Sequence, residues 1–307
     1  MRIRRSVPFE VGNVSAALLH EGALYVRGTD RLAAVSPAGD VTALHTFGPQ
    51  RPLASAPLVQ VGDRLLSVDH PPGGRALVTA TKIGGATTAR CPAPEGSVDL
   101  VVAGSEVWAL GHAAPATTLA RWGPARYTPL AQARGLGHWR TEGDALLWCD
   151  QGGLHRLTAR GQDTLRGGPV LAFSAALDLA RPEVTDEPPA VRIETGVGHT
   201  VVGGVNRPVR FLSTAAGRFV RFRDQIAPLE HLNTLTRLPE AQDLGTVLEV
   251  AGGLAYVDDQ RRVRWSPDGQ EWAALDLPGS WSEIVAAGPQ FLVATSRRAS
   301  VWLEFAS

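Results

Sequence analysis

The chain has 307 residues, 44% of them apolar and 20% charged, and its 30 acidic residues balance 30 lysines and arginines. This composition is ordinary for a soluble globular protein, and the zero net charge excludes a global field that would attract nucleic acid or anionic lipid. No apolar run approaches the ~18 residues that a transmembrane helix needs.

Two features of the sequence bear on its compartment and its cofactors. Residues 1–10 carry charge, but no apolar run of signal-peptide length follows them. The cysteines, Cys91 and Cys149, are too few for a disulfide framework and too isolated for a zinc site. We therefore expect a cytoplasmic protein without a membrane span, a disulfide or a cofactor.

Short apolar runs recur along the chain, and small turn residues separate them. The markers Gly22, Gly62, Gly104, Gly143, Ala176, Gly217, Gly252 and Gly288 are 40, 42, 39, 33, 41, 35 and 36 residues apart. Four short strands per period of this length are typical of a β-propeller blade. The repeat predicts an all-β, eight-bladed propeller occupying residues 1–307 as one domain. A seven-bladed ring is the alternative, if the copy around Ala176 is an insertion.

The predicted third strands of the first four copies are residues 31–36, 76–81, 118–122 and 154–158. Tryptophans recur at fixed positions in the unit: three in third strands (Trp122, Trp265 and Trp302) and two in second strands (Trp108 and Trp148). This recurrence predicts packing between blades. Trp139 and Trp281 fall instead in first strands, near the axis, and are the aromatic candidates for contacting a ligand.

The clearest copy of the repeat is residues 246–279. Between its third and fourth strands lies Ser266-Pro-Asp-Gly-Gln-Glu-Trp272, in which Pro fixes φ, Ser and Asp can bond nearby N–H groups, and Gly accepts a positive φ. This heptapeptide resembles the short Asp-box (BNR repeat) of sialidase-like propellers. The resemblance implies a structural turn between outer strands and does not imply sialidase chemistry.

The two ends of the chain predict how the ring closes. The last copy supplies only three strands, which end at residues 301–305, and residues 3–9 form an extra strand ahead of the first copy. Pairing this N-terminal strand into the last blade would complete the blade and cover its exposed edge.

The sector 181–245 departs from the repeat. Residues 181–189 are rich in proline and acids and predict a loop. Leu229, Leu232, Leu235 and Leu238 recur every three residues after Pro228, which suits a short amphipathic helix inserted between blades. An outer strand is the alternative for this segment.

Candidate functional residues are scattered along the sequence. The eight histidines show no metal-ligand spacing, although His20 and His138 lie in predicted innermost strands that line the channel. The strongest charge feature is a set of arginines interleaved with phenylalanines and uninterrupted by acids: Arg207, Arg210, Arg218, Arg221 and Arg223. Such a set could follow a phosphate backbone or an acidic partner, and the alternative is an exposed blade face paired with the acidic loop.

No catalytic motif is assembled in the sequence, so the composition and repeat favour a non-enzymatic binding or scaffold module that recognises a protein or peptide. The alternative is a sugar-processing hydrolase or lyase whose catalytic residues come from different blades at the channel mouth. Nucleic-acid binding through residues 207–223 is the less favoured third possibility.

Overall fold

The computed structural model describes residues 2–50, 56–123, 126–136, 138–183, 189–205, 208–238, 247–296 and 299–306. These residues form eight four-stranded antiparallel sheets and no helix. Consequently no helix long and apolar enough to cross a membrane occurs in the described ranges. The predicted eight-bladed propeller is therefore confirmed, and the seven-bladed alternative is wrong.

Each of the first seven blades uses four strands that are consecutive in the chain. Blades 1 and 2 comprise β2 (Ala16–His20), β3 (Ala23–Arg27), β4 (Arg31–Val35), β5 (Val41–Thr46), β6 (Leu58–Val61), β7 (Arg64–Asp69), β8 (Leu77–Lys82) and β9 (Thr87–Pro92). Blades 3 and 4 comprise β10 (Ser97–Ala103), β11 (Glu106–Ala113), β12 (Ala116–Trp122), β13 (Tyr127–Arg134), β14 (His138–Glu142), β15 (Ala145–Cys149), β16 (Gly153–Thr158) and β17 (Gly161–Gly167).

The remaining blades follow the same order except at the end of the ring. Blades 5 and 6 comprise β18 (Ala172–Phe173), β19 (Leu179–Glu183), β20 (Ala190–Thr195), β21 (Gly198–Gly203), β22 (Arg210–Thr214), β23 (Gly217–Arg221), β24 (Gln225–Pro228) and β25 (Thr236–Arg237). Blade 7 comprises β26 (Leu248–Val250), β27 (Gly253–Val257), β28 (Val263–Ser266) and β29 (Ala273–Ala274). Blade 8 combines β30 (Glu283–Gly288), β31 (Phe291–Thr295) and β32 (Ser300–Phe305) with the N-terminal strand β1 (Ile3–Phe9).

The turns between first and second strands explain why the repeat is visible in the sequence. Glu21 and Gly22 have φ of 49° and 77°, and Ala251 and Gly252 have φ of 48° and 76°. Two consecutive positive φ values are the requirement of a type I′ hairpin turn, which favours glycine. In blade 5 the left-handed residue is Leu177, with φ of 60°. The fifth copy therefore keeps its hairpin although it lacks the glycine marker.

The first strand of each blade contacts the first strand of the next, and β30 of blade 8 contacts β2 of blade 1. The eight first strands thus surround a central channel. Apolar side chains fill the spaces between blades, as between blades 3 and 4, where Trp108 and Trp148 are fully buried with Leu119 and Leu146. Trp302 packs in the same manner between blades 8 and 1. The prediction that the recurring tryptophans pack between blades is confirmed for these three.

The ring closes through the N-terminal strand, as predicted. β1 pairs antiparallel with β32, with Val7 opposite Trp302 and Phe9 opposite Ser300. Val7 and Phe9 are each 4% exposed and join the cluster between blades 8 and 1. The closing strand therefore contributes both hydrogen bonds and core.

The turn Ser266–Trp272 joins the third and fourth strands of blade 7. The hydroxyl of Ser266 accepts from Gly269 N at 2.8 Å, and the Asp268 carboxylate accepts from Gln270 N at 2.9 Å. The Trp272 indole donates back to Gly269 O at 3.1 Å. All three bonds stay within the turn, so these residues shape the backbone.

The sector 181–245 differs from its prediction in two places. The predicted helix is absent from the described residues after Pro228 and the alternative, an outer strand, is confirmed, because residues 225–228 and 236–237 are the third and fourth strands of blade 6. Leu229 and Leu232 are buried in the cluster between blades 5 and 6, whereas Leu238 is buried between blades 6 and 7. The backbone changes direction between these leucines, so their spacing of three places them in two different interblade clusters and not on one face of a helix.

The predicted acidic loop is also shorter than expected. Residues 181–183 belong to β19, because Arg181 and Glu183 form ion pairs with Glu194 and Arg192 of the neighbouring strand at 3.0 and 2.6 Å. Residues 184–188, which carry the rest of the predicted loop, lie outside the described residues.

Arg27 illustrates how a buried cation joins two blades. It is 2% exposed, its guanidinium lies 3.6 Å from the centre of the Phe47 ring, and it donates to Ser67 Oγ and Val68 O at 3.0 and 3.2 Å. Burial lowers the pKa of Arg27 to about 10, so it stays charged at neutral pH.

We expect Arg27→Met to lower the free energy of unfolding by ~2–4 kcal/mol, because buried acceptors lose their donor and the cation–π contact is lost. Urea denaturation measures the change. The control is Arg31→Met, at a half-exposed site where we expect a change within ~0.5 kcal/mol. Equal changes in both variants would contradict the prediction.

Candidate functional site

The channel widens into a cavity of about 640 Å³ between blades 6, 7 and 8. Its walls are β22, β26 and the end of β30, and His138 contributes from β14 of blade 4, across the ring from blade 8. Phe211, Leu212, Val247 and Leu248 supply apolar surface. The cavity combines an apolar wall with a few polar groups, which is the usual composition of a ligand site.

One end of the cavity is basic. Arg210, the first residue of β22, is exposed to the cavity and stands opposite Arg221 of β23 in the strand register. Arg221 is only 7% exposed. Arg140 lies two residues beyond His138 on β14, on the same face of that strand because side chains alternate. Two blades thus direct cationic groups towards one region of the channel.

Burial and the neighbouring arginines lower the pKa values of two groups at this end of the cavity. Burial, the positive charge of Arg210 and that of Arg140 lower the pKa of His138 to about 4, so its imidazole is neutral at pH 7. Burial and then Arg210 lower the pKa of Arg221 to about 10, so its guanidinium remains charged. The charges of Arg140 and Arg210 therefore lie near a neutral imidazole, and Arg210 also lies near the charge of Arg221.

The other end of the cavity carries a carboxylate. Glu249 of β26 accepts a hydrogen bond from Ser213 N at 2.5 Å, across the gap between blades 7 and 6. Ser213 lies three residues beyond Arg210 on β22, a separation of about 10 Å in an extended strand. Glu249 is the only carboxylate among the described residues that line the cavity.

The structure places the five predicted arginines in different environments. Arg207 lies outside the described residues. Arg210 lines the cavity, Arg221 is buried, and Arg223 follows β23 and accepts from Arg221 through its carbonyl at 3.2 Å. The described members therefore do not form one continuous exposed row.

Arg218 points to the opposite side of blade 6. It donates to Asp178 at 2.9 Å and to Glu230 at 3.2 Å, and both contacts are ion pairs. Arg218 thus links blades 5 and 6, because Asp178 immediately precedes β19. The positive charge of Arg218 is therefore neutralised by acids of the protein itself.

The two predicted aromatic candidates belong to interblade clusters. Trp139 is half-buried on β14 and packs against the cluster that contains Trp108 and Trp148. Trp281 precedes β30, is 6% exposed and packs with Ile284 between blades 7 and 8. Neither belongs to the described lining of the cavity.

The two channel histidines do not converge. His20 is the last residue of β2, whereas His138 is the first residue of β14, so the two lie at opposite ends of their strands. His20 contacts Gln60 of the neighbouring blade at 3.2 Å. In the described ranges no three His, Cys, Asp or Glu side chains are grouped so that they could hold a metal ion.

Two other histidines form polar triads that the sequence did not reveal. His155 contacts Asp150 at 3.0 Å and Thr164 at 3.1 Å, and its ring stacks on Trp148. Asp150 also accepts from Gly152 N at 2.7 Å, which ties the triad to the turn between β15 and β16. His112 makes the same pair of contacts, with Asp99 and Thr117 at 3.0 and 3.1 Å. Both triads join strands within one blade, which indicates a structural role.

One face of the ring, here called the turn face, holds the turns between first and second strands. In blades 1 to 4 these turns carry or adjoin acidic residues: Glu21, Asp63, Glu106, Glu142 and Asp144. In blades 5 to 8 the turns expose Leu177, Ala215, Gly252 and Pro289, and their one acid, Asp178, is 3% exposed and paired with Arg218. Ala215, Gly252 and Pro289 also line the cavity. The cavity therefore reaches the turn face on the side of blades 6 to 8.

No protein-family model matches the chain, and no curated protein matches its sequence. Among solved structures it is similar to BamB from Moraxella catarrhalis, with a TM-score of 0.64 and 11% identity over 99% of both chains. It is also similar to the computationally designed Ika8 protein, with a TM-score of 0.63 and 10% identity over 96% of this chain and 98% of the other.

The WD40 β-propeller domain of Doa1 gives a TM-score of 0.52 and 11% identity over 99% of this chain and 98% of the other. At such identities similarity carries information about fold and none about activity. Together with the strand pairing, these similarities identify the chain as an eight-bladed β-propeller of four-stranded antiparallel sheets.

Proposed function

We propose that the protein is a non-enzymatic binding module that recognises a protein or peptide partner on its turn face, with part of the partner entering the cavity. The observation that carries this proposal is the cavity of about 640 Å³, which reaches the turn face between uncharged turns of blades 6 to 8. The resemblance of Ser266–Trp272 to an Asp-box adds only a structural interpretation of that turn.

Exposed apolar side chains next to the cavity support the proposal. Leu177 is 42% exposed at the tip of the first turn of blade 5, and Val197 is 100% exposed in the outer turn of the same blade. A smaller concavity of about 310 Å³ lies between these turns, lined by Ala176, Val197 and Leu229 together with the ion-paired Asp178, Arg218 and Glu230. Exposed apolar groups that adjoin concave surface are typical of protein interaction sites.

The acidic half of the turn face indicates the charge of the partner. Glu21 and Asp63 are 83% and 71% exposed in their side chains, and Glu142 and Asp144 are exposed at the corresponding turn of blade 4. A complementary partner would place apolar residues over blades 5 to 8 and lysine or arginine over blades 1 to 4. We therefore expect an extended segment that combines both residue types.

The hydrolase alternative gains no support from the cavity. Glycoside hydrolysis uses two carboxyl groups about 5–10 Å apart, whereas Glu249 is the only carboxylate in the described lining. Nucleic-acid binding through residues 207–223 gains none either, because Arg218 is ion-paired and Arg221 is buried.

Selection from a random peptide library on the immobilised protein tests the proposal. We expect enrichment of peptides that combine apolar residues with lysine or arginine, and weaker binding at higher salt because the charges are exposed. Leu177→Asp and Ala215→Asp should each raise the Kd of a selected peptide about tenfold or more, which corresponds to ~1.4 kcal/mol. Aspartate tolerates the positive φ of position 177.

The matched control is Gln162→Asp, an exposed change on the outer strand β17, which should leave the Kd unchanged. Failure to enrich any peptide, or equal binding by all three variants, would rule out the turn face as the site.

A further inference from the structure

Several arginines outside the channel are paired with acids, as Arg181, Arg192 and Arg218 are paired with Glu194, Glu183 and Asp178. The buried Arg27 has no such partner among the described residues, but neutral acceptors and the Phe47 ring surround its guanidinium. The arginines of the channel have neither arrangement. Within the described part of the chain, Arg140, Arg210 and Arg221 have no carboxylate within ion-pair distance. The basic end of the cavity therefore holds positive charge that no carboxylate of the described residues neutralises by an ion pair.

Arg221 is the buried member of this group of positive charges. It is 7% exposed, its Nε–H has no acceptor, and its hydrogen bond goes to a neutral group, the carbonyl of Arg223. Its neighbours in the register are Arg210 on one side and Ile226 on the other. A buried cation without a counter-charge costs stability, so a fold selected for stability alone would place an apolar residue there.

We propose that the basic end of the cavity is a binding site for an oxyanion, a carboxylate or a phosphate group, carried by a small organic ligand with an apolar body. Arg210 contacts the anion, His138 lies beside it, and Arg140 of blade 4 and Arg221 of blade 6 contribute positive potential. The inference concerns a small ligand inside the channel, so it does not depend on the binding of a protein to the turn face.

The chemistry of the lining fits such a ligand. Guanidinium groups bind carboxylate and phosphate through paired, charge-assisted hydrogen bonds. A neutral imidazole can add a further donor without adding charge. Phe211, Leu212, Val247 and Leu248 offer apolar contact next to Arg210. Glu249 lies towards the far end of the cavity, bonded to Ser213 N, and forms no ion pair with Arg210.

The test compares four additives on the purified 307-residue chain: hexanoate, hexyl phosphate, the uncharged hexanamide, and sodium chloride at matched ionic strength. The readouts are the melting temperature and the Kd from calorimetric titration. We expect at least one of the two anions to raise the melting temperature with saturation, whereas hexanamide and sodium chloride should not. The difference between hexanoate and hexyl phosphate identifies the preferred oxyanion.

Three variants decide whether the effect arises at this site. Arg210→Gln, on a cavity-facing and exposed residue, should weaken binding about tenfold or more, because each charge-assisted bond accounts for roughly that factor. Arg221→Met should weaken binding while melting at the same or a higher temperature without additive. Arg160→Gln, in an exposed turn of blade 4, should behave as the unchanged protein.

Absence of saturable stabilisation by either anion would overturn the proposal. So would stabilisation that persists equally in Arg210→Gln, since it would then arise from salt exclusion or from another surface. If Arg221→Met fails to fold, the cation has a structural role and Arg210→Gln alone decides the question.

Discussion

Removing residues 1–9 is expected to lower the melting temperature by about 5–15 °C. The deletion withdraws Val7 and Phe9 from the cluster between blades 8 and 1, where each is 4% exposed. Burial of such a side chain contributes ~1.5–3 kcal/mol, and in a protein of this size each kcal/mol changes the melting temperature by roughly 2 °C. The deletion also exposes the hydrogen-bonding edge of β32.

Point variants separate the two contributions. Val7→Ala together with Phe9→Ala removes core contacts but keeps the strand, and should produce most of the loss. Arg4→Ala together with Ser6→Ala changes the outward, exposed face of the same strand and should change the melting temperature little. A deletion protein that melts at the original temperature would show that β1 is not needed to close the ring.

Replacing Asp258 by alanine is expected to lower the free energy of unfolding by ~3–5 kcal/mol, which is typical of breaking a buried ion pair. Asp258 is 0% exposed, follows β27, and accepts from Arg262 Nε at 3.0 Å and Arg264 Nε at 2.8 Å. It also accepts from Arg262 N at 2.8 Å, which shapes the turn into β28. Asp259→Ala changes the adjacent, exposed carboxylate and provides the control, with an expected change within ~0.5 kcal/mol.

The effect of Asp258 should depend on pH in a defined direction. Burial alone would raise its pKa, but the Arg262 N–H and the guanidinium groups of Arg264 and Arg262 outweigh burial and hold the pKa below 3.8. A carboxyl with a depressed folded pKa stabilises the protein above its unfolded pKa and loses that contribution as pH falls through the folded value. In denaturant titrations, the stability difference between the unchanged protein and Asp258→Ala should therefore be complete at pH 7 and should shrink as the pH falls below 3.8 and through the depressed folded pKa.

The propeller could be predicted because most turns between first and second strands need a residue with positive φ, which favours glycine. Glycines such as Gly22 and Gly252 mark turns that need a positive φ, and this requirement appears at a regular interval. The fifth copy was recognisable by its strands alone, since Leu177 adopts the left-handed conformation there. Closure by β1 could be predicted by counting strands.

For the segment after Pro228 the sequence leaves helix and outer strand open, because periodicity indicates which side chains are buried and not the side on which each is buried. Leu229 and Leu238 are buried in different interblade clusters, and a helix would have placed them on one face. The strands that immediately precede these two leucines have only four and two residues and are too short to show an alternation.

The candidate site was only partly predictable for a related reason. Arg210 was noticeable because no acid lies near it in the sequence, and His138 because it opens a first strand. Glu249 and Arg140 carried no signal, since their meeting with Arg210 depends on the ring bringing blades 4, 6 and 7 together. Arg218 and Arg221 are three residues apart, yet Arg218 is ion-paired whereas Arg221 is buried with no ion pair to a described carboxylate.

The pairing of β1 with β32 has a consequence for biosynthesis. The strand Ile3–Phe9 leaves the ribosome before any residue of β30 to β32, and its partner residues follow almost a whole ring later. Blades 1 to 7 consist of strands that are consecutive in the chain, so each can form as it emerges. The final blade must instead close the contact of highest sequence separation, which makes it the slow step of folding. Until that step the nascent chain presents two unprotected sheet edges, at which a second nascent chain could exchange its first strand and form a swapped dimer.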